Sequence, residues 1–273
     1  MAASGREGEG RDRPDLWAGI HEHERTVVST GSAAEIKALY SELGERLDEA
    51  YAEDPEGVPA LSRPETLAAI EGLFGTVRGR ILDAGCGPNP IATTTLGTGP
   101  GRTMVGLDLG FATVRLARTV AERSGVELLA VVGDLEALPF APRVFDALIC
   151  DDTLEHVPDD ATAVLELARV LRADGRMVLA TPNRWNLEIV LRKIRDRVRG
   201  RRIATSAYFV ASSHLREYRW GELQALVAGA FRVRTRARVG WRGSRKKRLA
   251  SRLVELPGLR NFDQMLVIEA EVR

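Results

Sequence analysis

The sequence predicts an α/β fold: a doubly wound, mostly parallel seven-stranded sheet with an antiparallel edge strand. Three observations predict it. Across residues 79–182, short apolar runs alternate with stretches whose apolar residues recur at helical spacing. The first run ends in a glycine loop, Asp83-Ala84-Gly85-Cys86-Gly87-Pro88. The last two runs, FRVRTRARV and DQMLVIEAEV, follow one another with no clear helix between them. Strands that alternate with helices pair in parallel and are covered on both faces. A final pair lacking a crossover helix fits a close antiparallel pair at the sheet edge.

The elements follow in order. Residues 32–52 set Ile36, Leu39, Tyr40, Leu43 and Leu47 at helical spacing, which predicts an N-terminal helix. Pro55, Gly57 and Pro59 make 53–63 a loop. Pro64 then opens a second helix, ETLAAIEGLF, since the first turn has no use for its missing N–H. The apolar runs RILDAG, TMVGLDL (103–109), ELLAVVGD (127–134), VFDALICDD (144–152) and GRMVLATP (175–182) read as buried strands. Helical stretches lie at 111–123, 159–172 and 220–229. Residues 183–219 interrupt the alternation. They hold a basic amphipathic helix, LEIVLRKIRDRVRGRR, and a loop, and they are read as an insertion that covers the active site. The domain is predicted to span 31–273, with 31–63 as its N-terminal helix and loop and 1–30 as a disordered tail.

Composition narrows the class. Hydrophobic residues make up 44% and charged residues 28% of 273, as in an ordinary soluble domain. No run reaches the roughly 18–20 apolar residues of a membrane span. The polar, Gly-rich first residues lack the apolar core of a secretory signal. The two cysteines, Cys86 and Cys150, have no metal-type spacing, so a reducing cytoplasm is the expected setting.

In an open α/β sheet, ligands bind beyond the carboxyl ends of the strands. Gly85 and Gly87 let the backbone approach a ligand closely. The second strand ends in Gly106-Leu107-Asp108-Leu109, about 20 residues on, where a carboxylate can accept both hydroxyls of a ribose. The third ends in Gly133-Asp134-Leu135, which places a carboxylate where an adenine amino group could donate. A third loop glycine is missing, and Pro88-Asn89-Pro90 follows, which weakens a pyrophosphate-binding reading.

ILDAGCG, GLDLG and GDLEALPF, on successive strands, resemble the class I methyltransferases, in particular the UbiG/UbiE-like type 11 branch. The resemblance covers residues 64–182 well and the C-terminal part more loosely. It implies S-adenosylmethionine as the cofactor. Asp83, Gly85, Cys86 and Gly87 would line its methionine and ribose part. Asp108 and Leu109 would hold the ribose, Asp134 and Leu135 the adenine, with Asp151 at the end of the fourth strand.

That strand runs out as Asp151-Asp152-Thr153-Leu154-Glu155-His156. If a helical turn starts at Asp152, then Asp152, Glu155 and His156 share a face at i, i+3 and i+4. With His214 from the covering loop, they make a candidate divalent-metal site. This D-x-x-E-H resembles the E-x-x-E-H arrangement of the small-RNA 2′-O-methyltransferases and the ubiquinone-pathway catechol O-methyltransferases. The resemblance implies a metal that binds neighbouring hydroxyls of the acceptor, although Asp152 stands where the pattern has Glu. Without a metal, His214 or His156 is the candidate general base, with Glu155 beside it. His21 and His23 read as surface residues.

Thr181-Pro182-Asn183-Arg184, with the later His214-Leu215-Arg216-Glu217-Tyr218, resembles bacterial methyltransferases of sugars and lipid-linked metabolites. Arg184, Trp185 and Tyr208 could line an acceptor pocket. The expected function is therefore O-methylation of a small-molecule or glycan hydroxyl. C-methylation of a quinone-type ring, RNA methylation and non-catalytic cofactor binding remain open beside it. The helix at 187–202 and the run from Arg232 to Arg252, ten basic residues with no acidic one, suit an anionic partner. A peripheral contact with an anionic membrane surface is one such partner. Nucleic acid is not expected, because no RNA-binding module accompanies the charge.

Overall fold

The computed structural model describes residues 31–51, 64–75, 77–199, 214–237, 239 and 260–273. The predicted tail, His21, His23, Tyr208 and all of the basic run after Val239 lie outside them.

The chain builds β1 (Gly79–Ala84), β2 (Arg102–Asp108), β3 (Leu128–Val132), β4 (Phe145–Asp151), β5 (Leu171–Pro182), β6 (Phe231–Ala237) and β7 (Met265–Val272). They form one seven-stranded sheet in the order β3-β2-β1-β4-β5-β7-β6. The first five strands are parallel, while β7 runs antiparallel to both β5 and β6. The two last strands form the expected edge, with β7 inserted one place in from it. Successive residues of the central strands feed opposite faces. Leu82 and Leu148 join one core, Ile81 and Ile149 the other. Burial on both sides explains why these strands read as unbroken apolar runs.

Before and between the strands lie α1 (Ala33–Tyr51), α2 (Pro64–Phe74), α3 (Ile91–Leu96), α4 (Phe111–Arg123), α5 (Asp160–Val170), α6 (Leu187–Val198) and α7 (Trp220–Val227). Helix α1 begins at a capping box: Ser32 N–H donates to Glu35 Oε2 at 2.6 Å, and Glu35 N–H donates to Ser32 Oγ at 3.4 Å. Its Leu47 and Tyr51 pack on Leu116 of α4. Gly44 allows the close approach, since a Cβ there would lie 2.1 Å from Thr113 Oγ1. On α5, Asp159 caps the start by accepting from Thr162 N–H at 3.0 Å.

Three expectations need correction. Helix α3 was not expected, because one and a half turns of threonine after Pro90 carry little helical signal. The helix predicted over 159–172 stops at Val170, where Leu171 turns extended and pairs with Phe145. The predicted apolar stripe of α6 does not pack as a unit. The helix buries Ile189 and Asp196 and leaves Leu191, Ile194 and Val198 exposed. No helix among the described residues is long and apolar enough to cross a membrane.

Candidate active site

The strand order reverses between β1 and β4, so the loops after these two strands diverge and open a crevice at their carboxyl ends. The glycine loop enters it with two left-handed residues, Gly85 at φ 78° and Gly87 at φ 61°. Gly85 has a second reason to be glycine. A Cβ there would meet the Thr153 side chain at 2.1 Å, and Thr153 Oγ1 donates to the Gly85 carbonyl at 3.2 Å. The loop after β1 is thereby tied to the loop after β4.

Asp108 lies beneath this loop. Its Oδ2 accepts from Gly87 N–H at 3.0 Å, and its Oδ1 faces Gly110 N–H at 3.5 Å. Burial raises its pKa despite these donors. Asp83 is more enclosed, and Thr93 Oγ1 of the unexpected α3 donates to its Oδ2 at 2.6 Å. Burial, with the Asp108 charge nearby, pushes Asp83 up to about 6. Asp134 is engaged differently from the expectation. Lys37 Nζ of α1 holds its Oδ2 at 2.7 Å, and Glu136 N–H donates to its Oδ1 at 2.9 Å. Leu135 and Cys86 are buried in the two cores, and Leu109 is half-buried at the mouth. Asp151 is the last residue of β4, paired with Ala180.

At the other end of the crevice, a single 3-10 turn, Leu154–His156, follows β4. Asp152 precedes it with φ at 49°, outside the helical region. The three-residue face expected of Asp152, Glu155 and His156 therefore does not form. One donor atom each from Glu155, His156 and His214 lies within 4.8 Å of the others, and Asp152 is not in this cluster. Of the four candidate metal donors, three come together. Asp152 acts instead on Glu155. Burial and the neighbouring Asp152 carboxylate hold Glu155 well above the ordinary carboxylate range.

Glu155 is fully buried, and Thr181 Oγ1 at the end of β5 donates to its Oε2 at 3.0 Å. Its Oε1 has no hydrogen-bond partner. His214 Nε2 lies 4.0 Å from that oxygen, and the His156 and His214 rings meet edge to face at 4.8 Å. Two residues that sequence reasoning missed complete the group. The Tyr40 hydroxyl of α1 lies 2.7 Å from His156 Nδ1. Glu217 Oε1 lies 3.6 Å from His214 Nδ1. Lys37 and Tyr40 stand one turn apart on α1, so this helix spans the crevice from Asp134 to His156. The covering role predicted for 183–219 falls in part to α1.

The segment His214–Tyr218 is firmly seated. Leu215 N–H donates to the Glu155 carbonyl at 3.0 Å, and Arg216 Nη2 to the Pro158 carbonyl at 2.7 Å. Tyr218 Oη donates to Asp160 at 2.7 Å. Arg184 and Trp185 are already engaged. Arg184 donates to the Glu217 carbonyl and to Glu222. Trp185 stacks on Phe262 at 5.7 Å, with the Arg219 guanidinium 5.0 Å from its ring.

Residues 82–179 match the methyltransferase domain family. This stretch, from β1 to β5, is similar to class I S-adenosylmethionine-dependent methyltransferases of the UbiG/UbiE-like branch. Among similar proteins are two ubiquinone biosynthesis O-methyltransferases. That of Salmonella paratyphi A is 34% identical over 125 residues, 44% of this chain and 49% of the relative. That of Vibrio cholerae is 33% identical over 119 residues, 43% and 46% of the two chains. The chain thus spans about half the length of the curated relatives it matches. Its fold resembles that of the Synechocystis magnesium protoporphyrin IX methyltransferase with bound S-adenosylhomocysteine: TM-score 0.58, 17% identity, 89% of this chain and 100% of the other. A Pyrococcus horikoshii protein is similar at TM-score 0.55 and 20% identity, over 82% of this chain and 99% of the other.

Proposed function

We propose that this chain is an S-adenosylmethionine-dependent O-methyltransferase acting on a hydroxyl of a small molecule. One observation carries the reading. A buried carboxylate and two imidazoles, Glu155, His156 and His214, stand beside the glycine loop and are joined to it through Thr153.

The cofactor end suits S-adenosylmethionine. Gly85 and Gly87 give the loop its left-handed turns at the mouth of the crevice, and Asp108 offers a half-buried carboxylate to ribose hydroxyls. When bound, the cofactor supplies an electrophilic methyl group on a positively charged sulfur. The carboxylates of buried Asp83 and half-buried Asp108 favour that positive charge. The residues at the acceptor end handle the proton. A hydroxyl oxygen that bonds to the methyl carbon must shed its hydrogen as the carbon–sulfur bond breaks and the electron pair leaves with sulfur. His214 Nε2 is placed to take that proton, ending as imidazolium beside Glu155. Burial and the Asp152 carboxylate shift Glu155 toward its protonated form, which can donate a hydrogen bond to the acceptor oxygen. Orienting the hydroxyl in line with the methyl group supplies much of the remaining acceleration.

A second reading has its own observation. The unpartnered Glu155 Oε1 and the two imidazoles form a donor set for a divalent ion. Glu155, His156 and His214 would hold it, and it would supply Lewis acidity to a hydroxyl. Of the acceptor classes, a saccharide or lipid-linked metabolite with adjacent hydroxyls remains the finer proposal. It now rests on the motif resemblance, since Trp185 is engaged by Phe262 and Arg219.

Transfer of label from methyl-labelled S-adenosylmethionine into fractionated cell extract tests the reading, with and without a chelator. Label in a small-molecule fraction, stable as a methyl ether, is the expected result. Loss of transfer on chelation would select the metal reading. Label confined to RNA, or carbon-bound in a quinone fraction, would overturn O-methylation.

A further inference from the structure

We propose that Glu217 is a positioning residue for His214: its carboxylate is the acceptor for the ring's Nδ1–H and fixes the tautomer whose Nε2 lone pair faces Glu155. The proposal rests on the acceptor-end reading above, and it holds whether Nε2 serves as base or as ligand.

Three buried polar atoms carry it. Glu155 Oε1, His214 Nδ1 and Glu217 Oε1 are each shut off from solvent, and none has a hydrogen-bond partner. They stand in a row with the imidazole in the middle. Nε2 lies 4.0 Å from Glu155 and Nδ1 lies 3.6 Å from Glu217. The side chains of all three are at most 6% exposed. A carboxylate in such a place is costly unless a cation or donor answers it. Among the described residues, His214 is the one ionisable side chain paired with the Glu217 carboxylate.

The backbone explains why Glu217 points inward. Arg184 donates to its carbonyl, and the neighbouring Arg216 and Tyr218 are anchored to Pro158 and Asp160. The side chain is left facing His214. A small rotation of either side chain brings 3.6 Å within hydrogen-bond range. A carboxylate on one ring nitrogen fixes the tautomer and makes the other nitrogen more basic. Across the cluster, the Tyr40 hydroxyl lies 2.7 Å from Nδ1 of His156. Each imidazole thus has an outer group on Nδ1.

The test is a long-range nitrogen–proton correlation spectrum of the histidine side chains in the full chain at pH 8. His214 is assigned by its absence from His214→Asn. The expected wild-type signal is a neutral ring protonated at Nδ1. In Glu217→Gln that preference is lost, and Glu217→Asp recovers part of it. Label transfer falls about ten- to hundredfold in Glu217→Gln, while the Kd for S-adenosylhomocysteine stays within about twofold. A wild-type ring protonated at Nε2, a doubly protonated ring, or the same tautomer in wild type and Glu217→Gln would each overturn the proposal. The spectrum needs no acceptor, so it stands apart from the function reading. Undiminished transfer by His214→Ala would sink the base assignment without touching the tautomer result.

Discussion

Asp83 shows how burial sets the chemistry of a single residue. Its carboxyl titrates at about 6 in the fold against an ordinary value of 3.8. Between those two values the folded chain binds the extra proton, so stability falls as pH rises through the window. Above it the full penalty remains, at most about 3 kcal/mol for a shift of this size. Asp83→Asn keeps an acceptor for Thr93 and removes the charge. The variant should therefore be more stable than wild type in urea melts of the ligand-free protein. The gain should be larger at pH 7 than at pH 4. An equal gain at both values would mean that the charge is not what Asp83 costs the fold. Asp83, Asp108 and the glycines were readable in the sequence, because each sits in a short motif at a strand end. The partners that set their behaviour were not. Thr93 lies on a helix too short to announce itself, and Lys37 meets Asp134 only through the fold.

At the scale of elements, α1 changes most between sequence and structure. Its periodicity gave the helix, and nothing local gave its place across the crevice. Tyr40 and His156 are 116 residues apart in the chain. What seats the helix is Gly44 against Thr113 of α4. Gly44→Leu gains helix propensity of about 1 kcal/mol but must push the two helices apart, at a cost of about 1–3 kcal/mol. The expected result is a net loss of stability with faster amide exchange concentrated in residues 33–51. Unchanged exchange there would show that α1 is not held by this contact. The turn after β4 carries the converse lesson. The motif named Glu155 and His156, which the structure brings together with His214, but the helical face drawn through Asp152 does not form. A left-handed residue ends the strand and the turn starts two residues later.

On the scale of the whole molecule, the sheet order brings the two ends of the site together. The reversal between β1 and β4 sets the glycine loop beside the 3-10 turn. The alternating strands and helices made that topology legible. The partners that complete the acceptor end were not legible: Thr181 from β5, Tyr40 from α1 and Glu217 from the segment after α6. The division of labour that follows can be measured directly. S-adenosylhomocysteine affinity by calorimetry and methyl transfer should be compared in wild type, Asp108→Ala and His214→Ala. Asp108→Ala should weaken binding by about 10- to 100-fold, as expected for lost hydrogen bonds to a charged group. His214→Ala should bind like wild type and lose transfer. Wild-type affinity in Asp108→Ala, or full transfer in His214→Ala, would contradict a site with the cofactor at one end and proton removal at the other.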